Sequence, residues 1–225
     1  MSFVLKTILA IFMMLGVPVV AHSSSYQALA NLPNSATTFS AFQTSNDYKA
    51  VIFTTPSRYT QVETIRLGLK YYPSTSPSNS LVRLTLFSVG NDGKPADVLA
   101  TTSQTVPLTS SDDYYTFAIQ NWTLSPNTSY AVALSTDYPG ISWWRNSGSP
   151  TPTAYNGFTY LGFYKSGTGS SGPWILPNSA GNALEILVSD YVPVPTLDEV
   201  AQVMLGFFVL LILAWWHRSN KEELV

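Results

Sequence analysis

Gln61–Lys70 reads QVETIRLGLK, and its alternation decides the fold class. Ile65, Leu67 and Leu69 share one face and Thr64, Arg66 and Lys70 the other, the period-two pattern of a half-buried strand. Lys49–Thr55 (KAVIFTT) precedes this strand and Leu81–Val89 (LVRLTLFSV) follows it. The turn Asn91-Asp92-Gly93-Lys94-Pro95 comes next, then a strand over Val98–Val106. Tyr114–Ile119 points Tyr115, Phe117 and Ile119 one way, while Ser129–Ser135, Ile141–Arg145 and Ala183–Ser189 continue the series. No stretch of this region carries helical periodicity. The pattern predicts an all-β fold, an antiparallel β-sandwich of jelly-roll-like type, over residues 48–190. Residues 22–47, rich in Ser, Asn, Thr and Ala, read as a loose lead-in. Residues 147–182, rich in Gly, Ser and Pro, read as long loops flanking one further strand near Phe158–Tyr164.

Composition narrows the function classes. Charged residues make up 11% of the 225, less than half of the usual share of about 25%. Net charge is −2, which leaves no basic surface for nucleic acid. Cysteine is absent, and with it disulfides, thiolate metal sites and Cys nucleophiles. The two histidines, His22 and His217, lie at the edges of the chain, so a Ser/His/Asp triad lacks its base.

Both ends carry apolar segments. Residues 1–21 (MSFVLKTILAIFMMLGVPVVA) place Lys6 before the apolar run Ile8–Val17, then Pro18, then small residues ahead of a cleavage point between Ala21 and His22. This is the layout of a secretory signal peptide. Val200–Trp216 (VAQVMLGFFVLLILAWW) has no charge, and Gln202 is its one polar side chain. As a helix these 17 residues would cover about 25 Å, near the lower limit for crossing a bilayer. Its Leu, Ile, Val and Phe favour insertion by roughly 3–6 kcal/mol in sum. The sequence therefore predicts a transmembrane helix over 198–217. Trp215 and Trp216 would lie at the interface, and a cytoplasmic tail over 218–225 would carry Arg218 and Lys221. Tyr191-Val192-Pro193-Val194-Pro195 forms a stiff spacer before it, within a linker over 191–197.

The tail Val194-Pro195-Thr196-Leu197-Asp198-Glu199, an apolar helix and then His217-Arg218 resembles an IPTL-CTERM sorting signal, related to the PEP-CTERM tails of Gram-negative bacteria. Pro195, Thr196, Leu197 and Glu199 match that pattern; Val194, Asp198 and Val200 depart from its Ile, Ser and Trp. The preceding domain is similar to the choice-of-anchor domains, type R in particular. That resemblance runs through Val62–Leu69, Val82–Leu99 (VRLTLFSVGNDGKPADVL), Tyr115–Leu124 and Leu124–Leu134 (LSPNTSYAVAL). The resemblance implies an exported protein, anchored in the inner membrane facing the periplasm, then shown on the outer surface or in the matrix. It also implies an exosortase-like processing enzyme as partner.

Chemistry within the exported stretch is sparse. Glu63 and Glu185 fall in strands, while Asp92, Asp112, Asp113 and Asp137 fall in turn contexts, so paired carboxylates for glycoside hydrolysis do not stand out. Asn91, Asp92 and Asp97, or Asp112 with Asp113, offer hard oxygens to calcium, though ordinary turns account for them better. No cofactor is required. The aromatics carry more information. Adjacent rings on a strand face opposite sides, so Trp143 or Trp144 with Arg145 would present a flat face. The SSGPWILP loop would hold Trp174 as an exposed platform. The expectation is a non-enzymatic cell-envelope surface or matrix protein. The alternative is an exopolysaccharide-binding module using Trp143, Trp144, Arg145 and Trp174.

Overall fold

The computed structural model describes residues 24–32, 38–42, 44–71, 79–108, 113–137, 140–145, 151–176, 182–191 and 204–212. The first 191 residues and the last 34 form separate compact units. The first unit is all-β and built of two antiparallel sheets. One sheet has seven strands: β1 (Tyr26–Ala30), β2 (Thr38–Ala41), β4 (Thr60–Tyr71), β7 (Asp113–Leu124), β9 (Ile141–Arg145), β10 (Thr153–Ala154) and β12 (Leu184–Asp190). The other runs in the order β11 (Thr159–Ser166), β3 (Tyr48–Thr54), β8 (Ser129–Thr136), β5 (Ser80–Val89) and β6 (Pro95–Val106).

The alternation in β4 becomes packing. Ile65, Leu67 and Leu69 are buried, and β4 pairs with β12, β9 and β7 along its twelve residues. Phe117, Ile119 and Trp122 of β7 and Leu184, Ile186 and Val188 of β12 complete this sheet's inner layer. Val51, Phe53, Val82, Leu84, Val132 and Leu134 supply the facing layer. Fully burying side chains of this size stabilises the fold by about 1.5–3 kcal/mol each.

The lead-in is not loose. It supplies β1, which pairs with β12, and β2, which pairs with β9. The register of β1 shifts between Gln27 and Leu29, so neighbours Ala28 and Leu29 are both buried. That bulge erases the alternation by which a strand is read.

Chain entry and exit share one corner. Tyr26 lies opposite Val188, and its hydroxyl donates to Asp190 at 2.5 Å. Arg58 meets the same carboxylate at 2.7 Å, and the Tyr191 N–H donates to the Tyr59 carbonyl. The ion pair is half exposed, so its contribution is at most about 1 kcal/mol.

In the second unit, residues 204–212 form a helix. The expected span over 198–217 is thus helical in its described part, and no helix among the described residues is long and apolar enough to cross a membrane. Residues 1–21, 198–203 and 213–225 lie outside the described residues.

Tyr160, partly buried against the main core, offers a pH test. Desolvation raises its hydroxyl from 10.0 to about 12. The unfolded chain therefore loses this proton first, so the contribution is full below pH 10 and fades as pH rises towards 12. Urea denaturation across that range is expected to show stability falling in the native protein and falling less in Tyr160→Phe.

Candidate functional site

The aromatic platform expected from the sequence does not form around Trp143 and Trp174. Trp143 is 1% exposed, because it lies opposite Leu69 of β4 and shares that residue's inward face. Its indole Nε1 donates to the Ala183 carbonyl at 2.7 Å, and its ring meets Phe163 edge-on at 6.1 Å. Trp144 and Arg145 sit on β9 opposite Phe39 and Thr38; their side chains lie outside the described residues.

Trp174 is 6% exposed. It lies on the outer face of the five-stranded sheet, where it joins Ala50, Ile52, Phe87, Ala131 and Ala133 in a second apolar cluster. The ring packs edge-on to Phe87 at 5.7 Å and to Tyr48 at 6.3 Å. The reason is complementarity of size. Alanines at 50, 131 and 133 leave a shallow apolar floor on an outward face, and one large indole covers it. Ile175 then locks the loop to β11, exchanging both backbone hydrogen bonds with Lys165. Solvent meets Ile175 and Leu176 instead, at 52% and 65% exposure. The alternating alanines in the run SYAVALS were the available signal that this outward face needed a cover.

Beside that loop lies an open groove of about 420 Å³, which sequence reasoning did not find. Asp47, Tyr48 and Lys49 line one wall, Lys165, Ser166 and Gly167 the other. The pairing of β3 with β11 brings them together, setting Lys49 opposite Lys165 and Tyr48 opposite Ser166. Lys49 is almost fully buried; its ammonium donates to the Ala41 carbonyl at 2.6 Å and sits 4.0 Å over the Phe42 ring. Asp47 accepts from the Thr44 N–H and hydroxyl, and Ser166 donates to the Gly169 carbonyl. The groove thus combines the exposed Lys165 with the Asp47 carboxylate, the Tyr48 phenol and the Ser166 hydroxyl, while the Lys49 ammonium is engaged by Ala41 and Phe42. Among the described residues no three His, Cys, Asp or Glu side chains group as a metal site. Of the calcium candidates, Asp92 turns its carboxylate to Lys94, accepting from the backbone N–H at 3.2 Å and pairing with the ammonium at 3.6 Å. Asp113 opens β7, and Asp112 lies outside the described residues.

The sorting motif Val194 to Glu199 and the basic pair His217 and Arg218 also lie outside the described residues. Between them, the side chains of Leu205, Phe207, Phe208, Val209, Leu210, Leu211 and Ile212 are 45–66% exposed.

No family model and no curated protein matches this chain. Among solved structures, infectious bursal disease virus Gx strain matches at 12% identity and a TM-score of 0.20, over 80% of this chain and 42% of that one. At that score the likeness carries no argument.

Replacing Trp174 with Ala is expected to lower stability by about 3–5 kcal/mol, as for other buried aromatics. Ile175→Ser, at an exposed position, is expected to stay within about 0.5 kcal/mol. Urea denaturation of both variants checks this; equal small effects would return Trp174 to the surface.

Proposed function

We propose that this chain is an exported, non-enzymatic surface or matrix protein of a Gram-negative cell envelope, displayed through its C-terminal segment. One observation carries the reading: the helix over 204–212 exposes apolar side chains at every position but Gly206 from Leu205 to Ile212. A helix apolar all round needs a non-aqueous surrounding, and this one belongs to a unit separate from the β-domain. Extended through the flanking apolar residues to 198–217, it would span the inner membrane, with Arg218 and Lys221 on the cytoplasmic side. Pro195, Thr196 and Leu197 would then be the point read by an exosortase-like enzyme. A jelly-roll-like, disulfide-free domain rich in Ser and Thr is the displayed module, delivered by the signal peptide over 1–21.

A second reading, binding of exopolysaccharide, draws on the groove rather than on the tryptophans. The exposed Lys165 ammonium beside Tyr48, Asp47 and Ser166 suits a sugar bearing a carboxylate. Tyr48 packs against Trp174, so ligand in the groove would perturb tryptophan emission. Uronate-containing polysaccharide is expected to shift that emission in the native protein and not in Lys165→Ala. A neutral glucan acting equally on both would overturn this reading.

For the leading reading, the intact mass of the protein from envelopes and growth medium is the test. The mass is expected to begin at His22 and to end either between Val194 and Leu197 or, in the membrane fraction, at Val225. A chain running from Met1 to Val225 in the soluble cytoplasmic extract would overturn it.

A further inference from the structure

We infer that the outer edge of β6 is a self-docking surface, pairing antiparallel with β6 of a second copy and joining two five-stranded sheets into one. Strand β6 ends its sheet, and among the described residues only β5 pairs with it. The direction of its open groups follows from the neighbouring ladder. Leu81 of β5 donates its N–H to the Asp137 carboxylate and accepts from the Asp137 N–H, both on the β8 side. Backbone groups alternate along a strand, so Val82, Leu84 and Leu86 turn towards β6, where they meet Gln104, Thr102 and Ala100. Thr101, Ser103 and Thr105 therefore aim N–H and C=O away from β5, along an edge with no ladder partner among the described residues.

Natural sheets blunt such edges with charge, proline, bulges or brevity, and the other edges here do so. Strand β11 is bridged by Ile175, β10 is two residues long, β2 is four, and β7 carries a bulge at Asn121, whose φ is 63°. Strand β6 carries irregularities only near its start, before Ala100. From Ala100 to Val106 (ATTSQTV) its register with β5 is unbroken, and the stretch has no charge and no proline. Thr101, Ser103 and Thr105 are exposed on the outer face, as is Gln104 on the other, where Ala100 and Thr102 are half-buried and Val106 is buried.

The chemistry of that stretch selects a second copy as the occupant. A two-fold axis at Ser103 sets Ser103 against itself, Thr101 against the second copy's Thr105, and Thr102 against its Gln104. Every such pair is neutral, so no like charges meet, and hydroxyls oppose hydroxyls, a favourable cross-strand pairing. The three outward-facing residues would exchange about six backbone hydrogen bonds across the axis. The contact is isologous and closes at two copies.

The test uses the full chain in detergent micelles, with mass measured by sedimentation. Ser103→Pro deletes one outward N–H and leaves the β5 ladder whole, a position where a strand tolerates proline. Ser103→Lys sets like charges across the axis. The native protein is expected to sediment as a dimer, and both variants at half that mass with unchanged far-ultraviolet circular dichroism. Because the chain has no cysteine, Ser103→Cys is expected to give an oxidised covalent dimer, and Thr153→Cys on the two-residue β10 to give none. A monomeric native protein overturns the inference. So does a dimer that survives both substitutions, which would place association in the apolar C-terminal helix, or equal cross-linking of the two cysteine variants. Should Ser103→Pro lose its β signal, Ser103→Lys and the cysteine pair decide.

Discussion

The β-domain depends on β4. Over Thr60–Tyr71 it serves β7 along one side and β12 followed by β9 along the other, so three later segments of chain find their register against one strand. Its side chains do the matching work towards the second sheet, since Val62, Ile65, Leu67 and Leu69 all enter the core. Shifting β4 by one residue would turn Arg66 and Lys70 inward and carry the leucines to solvent, an arrangement the core cannot accept. A bulge in β7 around Asn121 shifts the β4–β7 register between Val62 and Thr64, and Val62 and Ile65 still both enter the core.

A second constraint is that the five-stranded sheet is buried on both faces near its middle. Val132 and Leu134 look into the sandwich while Ala131 and Ala133 look out beneath Trp174. Small residues outward and large ones inward let the same strand serve two packing layers. The largest aromatic of the loop region is thus spent on stability, beside a polar groove lined by Asp47, Tyr48, Lys165 and Ser166. Lys49 lies beside that groove with its ammonium fixed by Ala41 and Phe42.

Strands with clean alternation were legible from residues alone. Thr60–Tyr71, Ser80–Val89, Ser129–Thr136 and Ile141–Arg145 fall within a residue or so of where the pattern sets them. Strands β1 and β2 were not, because a bulge in β1 puts two neighbours inside and β2 is only four residues long. The side to which a tryptophan turns was half legible. Parity along β9 allowed one inward ring and one outward, and Trp143 proved to be the inward one. For Trp174 no parity exists in a loop, and its place is set by a floor of alanines contributed from two distant strands. The groove is a product of β3–β11 pairing, with residues more than a hundred positions apart, and no local pattern announces it.

In the proposed arrangement the β-domain is a module held outside the cytoplasm by the apolar helix, whose Leu205 and Phe207 to Ile212 are exposed. Because the chain has no cysteine, a single Thr123→Cys on exposed β7 makes sidedness directly measurable with a membrane-impermeant maleimide. In intact spheroplasts and their medium, complete labelling before lysis is expected. Labelling that appears only after lysis would place the domain in the cytoplasm and contradict the account.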